Sequence, residues 1–158
     1  VIDVSEEMVG QPDAVLTLEQ VQRFEEQHGR IPDAAAVFLR TGWEEFNTDA
    51  ARYANAPGPL RFPGFGPEAA RFLVEERSAV GLGIDTLGID PGADADFVVH
   101  RQVSHPRGVW HLEGLMNLAQ LPPLGAWVVV GVLPLTGGSG GPTWWEEHSR
   151  RSRERRSC

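Results

Sequence analysis

Lysine is absent from this chain of 158 residues, and cysteine occurs once, at the last position, Cys158. A single cysteine cannot form an internal disulfide, so the composition gives no reason to expect secretion. The longest apolar run, residues 126–135, is about half of the roughly 20 residues that a membrane-spanning helix needs. We therefore expect a cytoplasmic protein with no membrane partner.

The net charge and its distribution bear on which macromolecules the protein could bind. A net charge of -8 argues against a general nucleic-acid binder, which needs a basic face. All basic residues except the histidines are arginine, as GC-rich codon usage in bacteria produces, and five of the 14 arginines lie in the last nine positions. Because residues 143–158 lack the apolar periodicity of the preceding chain, we expect one domain over residues 1–142 and then a divergent, disordered, Arg-rich tail. A basic interaction arm is the alternative for that tail.

Two helices are predicted from local signals. Thr17 and Gln20 have the spacing of a capping box, and an apolar stripe follows up to His28, so we expect an amphipathic helix over residues 17–28. Pro67 suits the first turn of a second helix over residues 68–77. Both helices should pack one apolar face against a core.

Strands are predicted between these helices. Residues 36–40 and 80–84 are short apolar runs, and residues 126–133 form a longer run that is apolar on both faces. A strand of the last kind is expected to be covered on both sides, as in a parallel or mixed sheet layered with helices. The alternation of helices and strands predicts an α/β fold of the mixed, α+β kind.

His100 and Glu113 are the sharpest candidates for chemistry. A neutral imidazole and a carboxylate are both suitable ligands for zinc or manganese, and a bound divalent ion lowers the pKa of its water to about 7. Taken alone, the pair is weak evidence, because a histidine and a glutamate at this separation occur by chance in many proteins.

Other polar residues near this pair admit two interpretations. Asp85 and Asp90 lie in a glycine-containing loop, where carboxylates either cap backbone N–H groups or orient ligand imidazoles. His111 lies in a predicted strand and is expected to pack or to line a substrate pocket, whereas His105 is expected in an exposed loop. No nucleophilic triad is visible, so no catalytic residue is assigned within this chain.

A run of motifs resembles one enzyme family. The segments VGLGIDTLGID, VVHR, GVWHLEGLMNL and LPPLGAWVVVGVLPLTGGSGGP follow one another in the order found in the cyclase family, the metal-dependent hydrolases that include bacterial kynurenine formamidase. The resemblance covers about residues 1–142 and corresponds to the later part of the family's catalytic domain. It implies a swivelling β/β/α domain that is incomplete at its N-terminus.

The resemblance also implies a site and an activity. His100, in an HR dipeptide, and Glu113, in a short motif near Asn117-Leu118, match the family's ligands of a second metal site. The implied function is metal-dependent hydrolysis of an amide or formamide small molecule, of the arylformamidase type that acts on N-formylkynurenine in tryptophan catabolism. Zinc is the expected ion, with manganese as the alternative, and a homodimer or homotetramer is the expected assembly.

The chain departs from the family pattern in three ways. Gly114 stands where kynurenine formamidases have asparagine, the spacing from His100 to Glu113 is one residue longer than expected, and no HxGTHxD motif is present. That motif carries the family's principal ligands, so we expect it upstream of Val1 and expect little activity from this chain alone. A metal-free binding or assembly homologue and a cyclase of secondary metabolism remain alternatives.

Overall fold

The computed structural model describes residues 1–133, 135–138 and 140–148. Two compact units divide the chain, one over residues 1–120 and a second that begins at Leu121. In the first unit the strands and α-helices are β1 (Ile2–Asp3), α1 (Ser5–Met8), β2 (Val15–Leu16), α2 (Leu18–His28), β3 (Ala36–Arg40), α3 (Ala50–Ala54), β4 (Gly64–Phe65), α4 (Pro67–Arg71), β5 (Gly81–Ile84) and β6 (Trp110–Leu112).

Helix α2 begins where the sequence predicts. The Thr17 side chain accepts a hydrogen bond from the Gln20 N–H, and the Gln20 side chain accepts one from the Thr17 N–H, which completes the capping box. Val21 and Phe24 are the buried residues of its apolar stripe. The second predicted helix is divided: α4 ends at Arg71 and continues as a π-helical segment, Phe72–Glu76.

A parallel four-stranded sheet organises the first unit, with the strand order β1-β3-β5-β6. Leu39 of β3 pairs with Ile84 of β5, and Gly83 of β5 pairs with Leu112 of β6. Strands β2 and β4 form a separate parallel pair. The prediction of an α/β fold is confirmed, and the predicted strands over residues 36–40 and 80–84 are β3 and β5.

The core of this unit consists of apolar side chains from the central strands and the elements packed on them. Strand β5 is buried along its whole length, as expected for a central strand of a parallel sheet. Completely buried side chains include Leu16, Val21, Leu39, Phe65, Leu73, Leu82, Ile84, Ile89 and Val99. Because the strands are parallel, β3, β5 and β6 end at the same edge of the sheet, and the residues that follow them emerge together there.

The second unit contains an antiparallel pair of strands, β7 (Trp127–Val132) and β8 (Thr143–His148). The prediction that residues 126–133 are covered on both faces was wrong, since Trp127 is 78% exposed and Val132 is 76% exposed. An apolar run predicts a strand but does not determine what covers it. Residues 143–148, predicted as the start of a disordered tail, form β8, whereas residues 149–158 of that tail lie outside the described residues.

The helices in the described part of the chain are all short. Among the described residues, no helix combines the length and the apolar character that crossing a membrane requires.

Candidate metal centre

The candidate site lies at the edge of the sheet where β5 and β6 end. Asp85 directly follows β5 and opens the loop that carries Asp90, and Glu113 directly follows β6. His100 lies on a π-helical segment, Val99–Ser104, that comes after this loop. In open α/β sheets, ligands bind outside the carboxyl ends of the strands, and this edge is such a place.

Asp90 contacts His100 on the Nδ1 side of its ring. Its carboxylate accepts hydrogen bonds from the backbone N–H groups of Val99 (2.6 Å) and His100 (3.1 Å), and the second oxygen lies 2.5 Å from His100 Nδ1. Burial would raise the pKa of Asp90, but these hydrogen bonds, the one from the His100 ring first, hold that pKa below its ordinary value. The imidazole is therefore fixed in orientation, with Nε2 as its outward nitrogen.

Glu113 faces that outward nitrogen. Its Oε1 atom lies 3.4 Å from His100 Nε2 and accepts a hydrogen bond of 3.1 Å from the Ile89 N–H. Hydrogen bonding to Asp90 and then to Glu113 raises the pKa of His100 to about 9. His100 thus lies between two carboxylates that both favour its protonated form. The two residues that the sequence singled out are brought together.

Two further histidines adjoin His100. A π-helical turn closes hydrogen bonds between residues five apart, and here the His105 N–H donates to the His100 carbonyl. This places the His105 ring centroid 5.1 Å from that of His100, although His105 itself is exposed. His111 approaches from β6, with its ring centroid 4.5 Å from that of His100 and 5.2 Å from that of His105.

His111 has an unused polar atom. Its Nε2 is buried, and within the part of the chain that the structure describes it has no hydrogen-bond partner. Burial first, and then the neighbouring His100 and His105, lower the pKa of His111 to about 4, so its ring is neutral at pH 7. A buried, neutral imidazole nitrogen without a partner costs free energy unless something binds to it.

Asp85 belongs to a different set of contacts. Its carboxylate accepts hydrogen bonds from the Thr41 N–H (3.0 Å), the Thr41 hydroxyl (2.7 Å) and the Trp43 N–H (3.1 Å). It therefore ties the end of β3 to the end of β5 and does not orient an imidazole through these bonds. Of the two interpretations left open for the aspartates, Asp85 fits the capping one and Asp90 fits the one that orients a ligand.

The donor set suits a divalent transition metal ion. His100, His105 and His111 each offer a nitrogen, and these atoms all lie within 4.8 Å of one another. The carboxylate on His100 Nδ1 is the usual partner of a metal-binding histidine, because it fixes the tautomer and raises the basicity of the other nitrogen. The buried Nε2 of His111, which has no hydrogen-bond partner among the described residues, is a second indication that these residues fit such an ion.

Comparison with known proteins identifies the family of the chain. Residues 1–91 match the Cyclase family. The chain belongs to the Cyclase family. Over 148 residues, this cyclase-family chain is 33% identical to an isatin hydrolase of Roseibium aggregatum, an alignment that covers 90% of this chain and 55% of that protein.

Solved structures agree with that assignment. Isatin hydrolase A from Labrenzia aggregata, bound to benzyl benzoate, superposes with a TM-score of 0.82 and 38% identity over 92% of this chain and 58% of that one. The enzyme from Ralstonia solanacearum gives a TM-score of 0.79 and 35% identity over 90% of this chain and 56% of that one. The predicted cyclase-like α/β domain is confirmed, and the cyclase-family chain spans somewhat more than half the length of these relatives.

Sequence reasoning found part of this site. His100 and Glu113, which the family resemblance matched to one metal site, lie together, and Asp90 fits one of the two interpretations given to it, but His105 was expected in an exposed loop. The signal in the sequence was the five-residue spacing from His100 to His105, and here a π-helical turn brings those two rings together.

Proposed function

We propose that the protein to which this chain belongs is a metal-dependent hydrolase that cleaves an amide bond in a small aromatic molecule. The observation that carries the proposal is His100 held between Asp90 and Glu113 at the carboxyl edge of a parallel sheet. A histidine fixed by one carboxylate and facing another is an arrangement that suits metal ligation. Membership of the Cyclase family, with isatin hydrolases among the similar proteins, supports the same reaction class.

His100 and Glu113 would hold the ion, with Asp90 supporting His100. A divalent ion supplies Lewis acidity, which polarises a carbonyl oxygen and lowers the pKa of water to about 7. This chain's residues orient the site: Asp90 directs Nε2 of His100 outward, and the Ile89 N–H positions the Glu113 carboxylate. His111, kept neutral by burial, presents an unpaired ring nitrogen beside them.

The substrate class is narrowed by chemistry. Isatin and N-formylkynurenine are both amides whose nitrogen is attached to a benzene ring, and hydrolysis of either releases an aromatic amine. We therefore propose an aryl amide, either cyclic as in isatin or a formamide as in N-formylkynurenine, which would place the reaction in the breakdown of tryptophan-related compounds. We propose zinc as the ion, with manganese as the alternative. We also propose a cytoplasmic location and assembly as a homodimer or homotetramer.

The test is hydrolysis by the gene product that contains this chain, with whatever sequence adjoins it. We expect loss of isatin or N-formylkynurenine absorbance that EDTA abolishes and that zinc or manganese restores. His100→Ala and Glu113→Gln should each lower kcat/KM at least a hundredfold, because each removes a metal ligand. His28→Ala, at the far end of α2, is the matched control and should change nothing.

The same experiment separates the alternatives. A metal-free binding homologue predicts no hydrolysis of any panel member and no zinc affinity that depends on Glu113. A secondary-metabolism cyclase predicts turnover of polyketide-like esters or lactones but not of the two aryl amides. Either result would overturn the proposed activity.

A further inference from the structure

We infer that His105 and His111 are metal ligands too, so that the chain itself presents three imidazoles and one carboxylate to a divalent transition metal ion. The inference rests on the proposed function in one respect, namely that His100 and Glu113 bind the ion. It goes beyond that function because it assigns to the ion two histidines that the family resemblance does not.

One distance matches the separation expected between neighbouring ligands of a zinc ion. Zinc bonds of about 2.0–2.1 Å to nitrogen and oxygen place neighbouring donors about 3.4 Å apart at the corners of a tetrahedron. His100 Nε2 and Glu113 Oε1 are 3.4 Å apart in the structure. The nitrogens of the three histidines lie within 4.8 Å, so closing around an ion requires side-chain shifts of roughly 1–1.5 Å.

The three imidazole rings pack against one another. His100 meets both neighbours edge-on, at interplanar angles of 80° to His105 and 81° to His111, whereas His105 and His111 are stacked at 21°. Nε2 of His111 is buried without a partner, and a ligand there would satisfy it. Packing alone does not explain a polar nitrogen left unpaired inside a cluster of three imidazoles.

The backbone positions the two added histidines independently of each other. His105 is held by the π-helical turn that starts beside His100, and the Ser104 hydroxyl donates to the Val99 carbonyl within that turn. His111 is held by β6, where it pairs with Leu82 of the central strand. Two separate elements, the π-helical turn and β6, thus each bring a histidine against the ring of His100.

The experiment measures metal binding, without substrate, on the 158-residue chain carrying Cys158→Ser, which removes a competing thiol. We expect calorimetry to give one zinc ion per chain, and cobalt substitution to give the intense visible bands of four-coordinate Co²⁺. His105→Ala and His111→Ala should each weaken zinc binding by more than the roughly 10–100-fold that loss of a supporting residue costs. His28→Ala, whose ring packs on Phe24, is the control and should bind as the parent does.

Each outcome decides between the two proposals. If His105→Ala and His111→Ala bind zinc like the parent while Glu113→Gln does not, the inference is wrong and the two-ligand site of the proposed function stands. If the parent binds no zinc, the inference also fails, and the hydrolysis assay tests the proposed function separately. Should circular dichroism show that His111→Ala is unfolded, His111→Gln replaces it, and undiminished zinc affinity there contradicts the inference equally.

Discussion

Replacing Asp90 by asparagine tests how the site is supported. Asp90 is 3% exposed, and its carboxylate accepts three hydrogen bonds, two from backbone N–H groups and one from His100 Nδ1. Asparagine keeps one acceptor oxygen but turns an NH₂ group toward a donor, so at least one charge-assisted bond is lost and a buried donor is unpaired. Bonds to charged groups contribute about 1.5–3 kcal/mol, so we expect the free energy of unfolding to fall by about 2–4 kcal/mol.

The effect on metal binding is the more specific expectation. Removing a carboxylate that is hydrogen-bonded to a metal-binding histidine lowers metal affinity about 10–100-fold. We expect Asp90→Asn to lower the zinc affinity by about this factor. Asp85→Asn is the matched control, because Asp85 is equally buried and lies five residues away on the same loop, yet bonds to Thr41 and Trp43. It should lose comparable stability with unchanged zinc affinity.

The assay combines urea unfolding at pH 7 with zinc calorimetry at a temperature where both variants are folded. Loss of affinity in Asp90→Asn alone supports the role assigned to it. Equal loss in Asp85→Asn would show that affinity follows overall stability, and unchanged affinity in Asp90→Asn would show that His100 needs no support. Either result would refute the reasoning.

Three further predictions concern the stability of the fold. A Cβ on Gly64 would lie 2.3 Å from the backbone nitrogen of Pro91, so Gly64→Ala should cost about 3 kcal/mol in thermal unfolding, unlike Gly140→Ala, where nothing lies within 4 Å. Phe97 has a left-handed backbone (φ 51°), a conformation that is unfavourable for residues with a Cβ. The free energy of unfolding in urea should therefore be about 1 kcal/mol higher for Phe97→Gly than for Phe97→Ala. The reverse order would contradict backbone strain at this position. Glu25 is paired with Arg77 at 2.7 Å and 2.8 Å, and the hydrogen bond from Arg77 keeps the pKa of Glu25 below its usual 4.5 despite burial. Its stabilisation is therefore present above pH 4.5 and lost as the pH falls through the lowered pKa, and Glu25→Gln should flatten the stability profile between pH 7 and pH 3.

Local signals predicted much of the first unit. Three such signals are the capping box at Thr17, the apolar run of β3 and the proline at the start of α4. Each depends only on residues a few positions apart, so the sequence alone predicts it. The strand over residues 126–133 was predicted as a strand for the same reason. Its exposure was not, because the covering of a strand depends on distant parts of a protein.

The site was predicted only through resemblance to a family. His100 lies on a π-helical segment and Glu113 follows β6, and their spacing alone gave no reason to join them. Their approach depends on the parallel pairing of β5 with β6, which connects residues far apart in the chain. The spacing that departs from the family by one residue did not prevent the contact, since Glu113 still follows the last residue of β6.

The sequence by itself determined the acidic, lysine-free composition, the capped helix, the strand-forming segments and the family pattern with its histidine and glutamate. Only the tertiary structure distinguished Asp90 from Asp85, two aspartates in one loop whose partners come from different elements. It also brought His105 and His111 to His100, one through a π-helical turn and one through a neighbouring strand. The physical reason is that hydrogen-bond registers and parallel strand pairing set distances between side chains, and neither is encoded in the spacing of residue types.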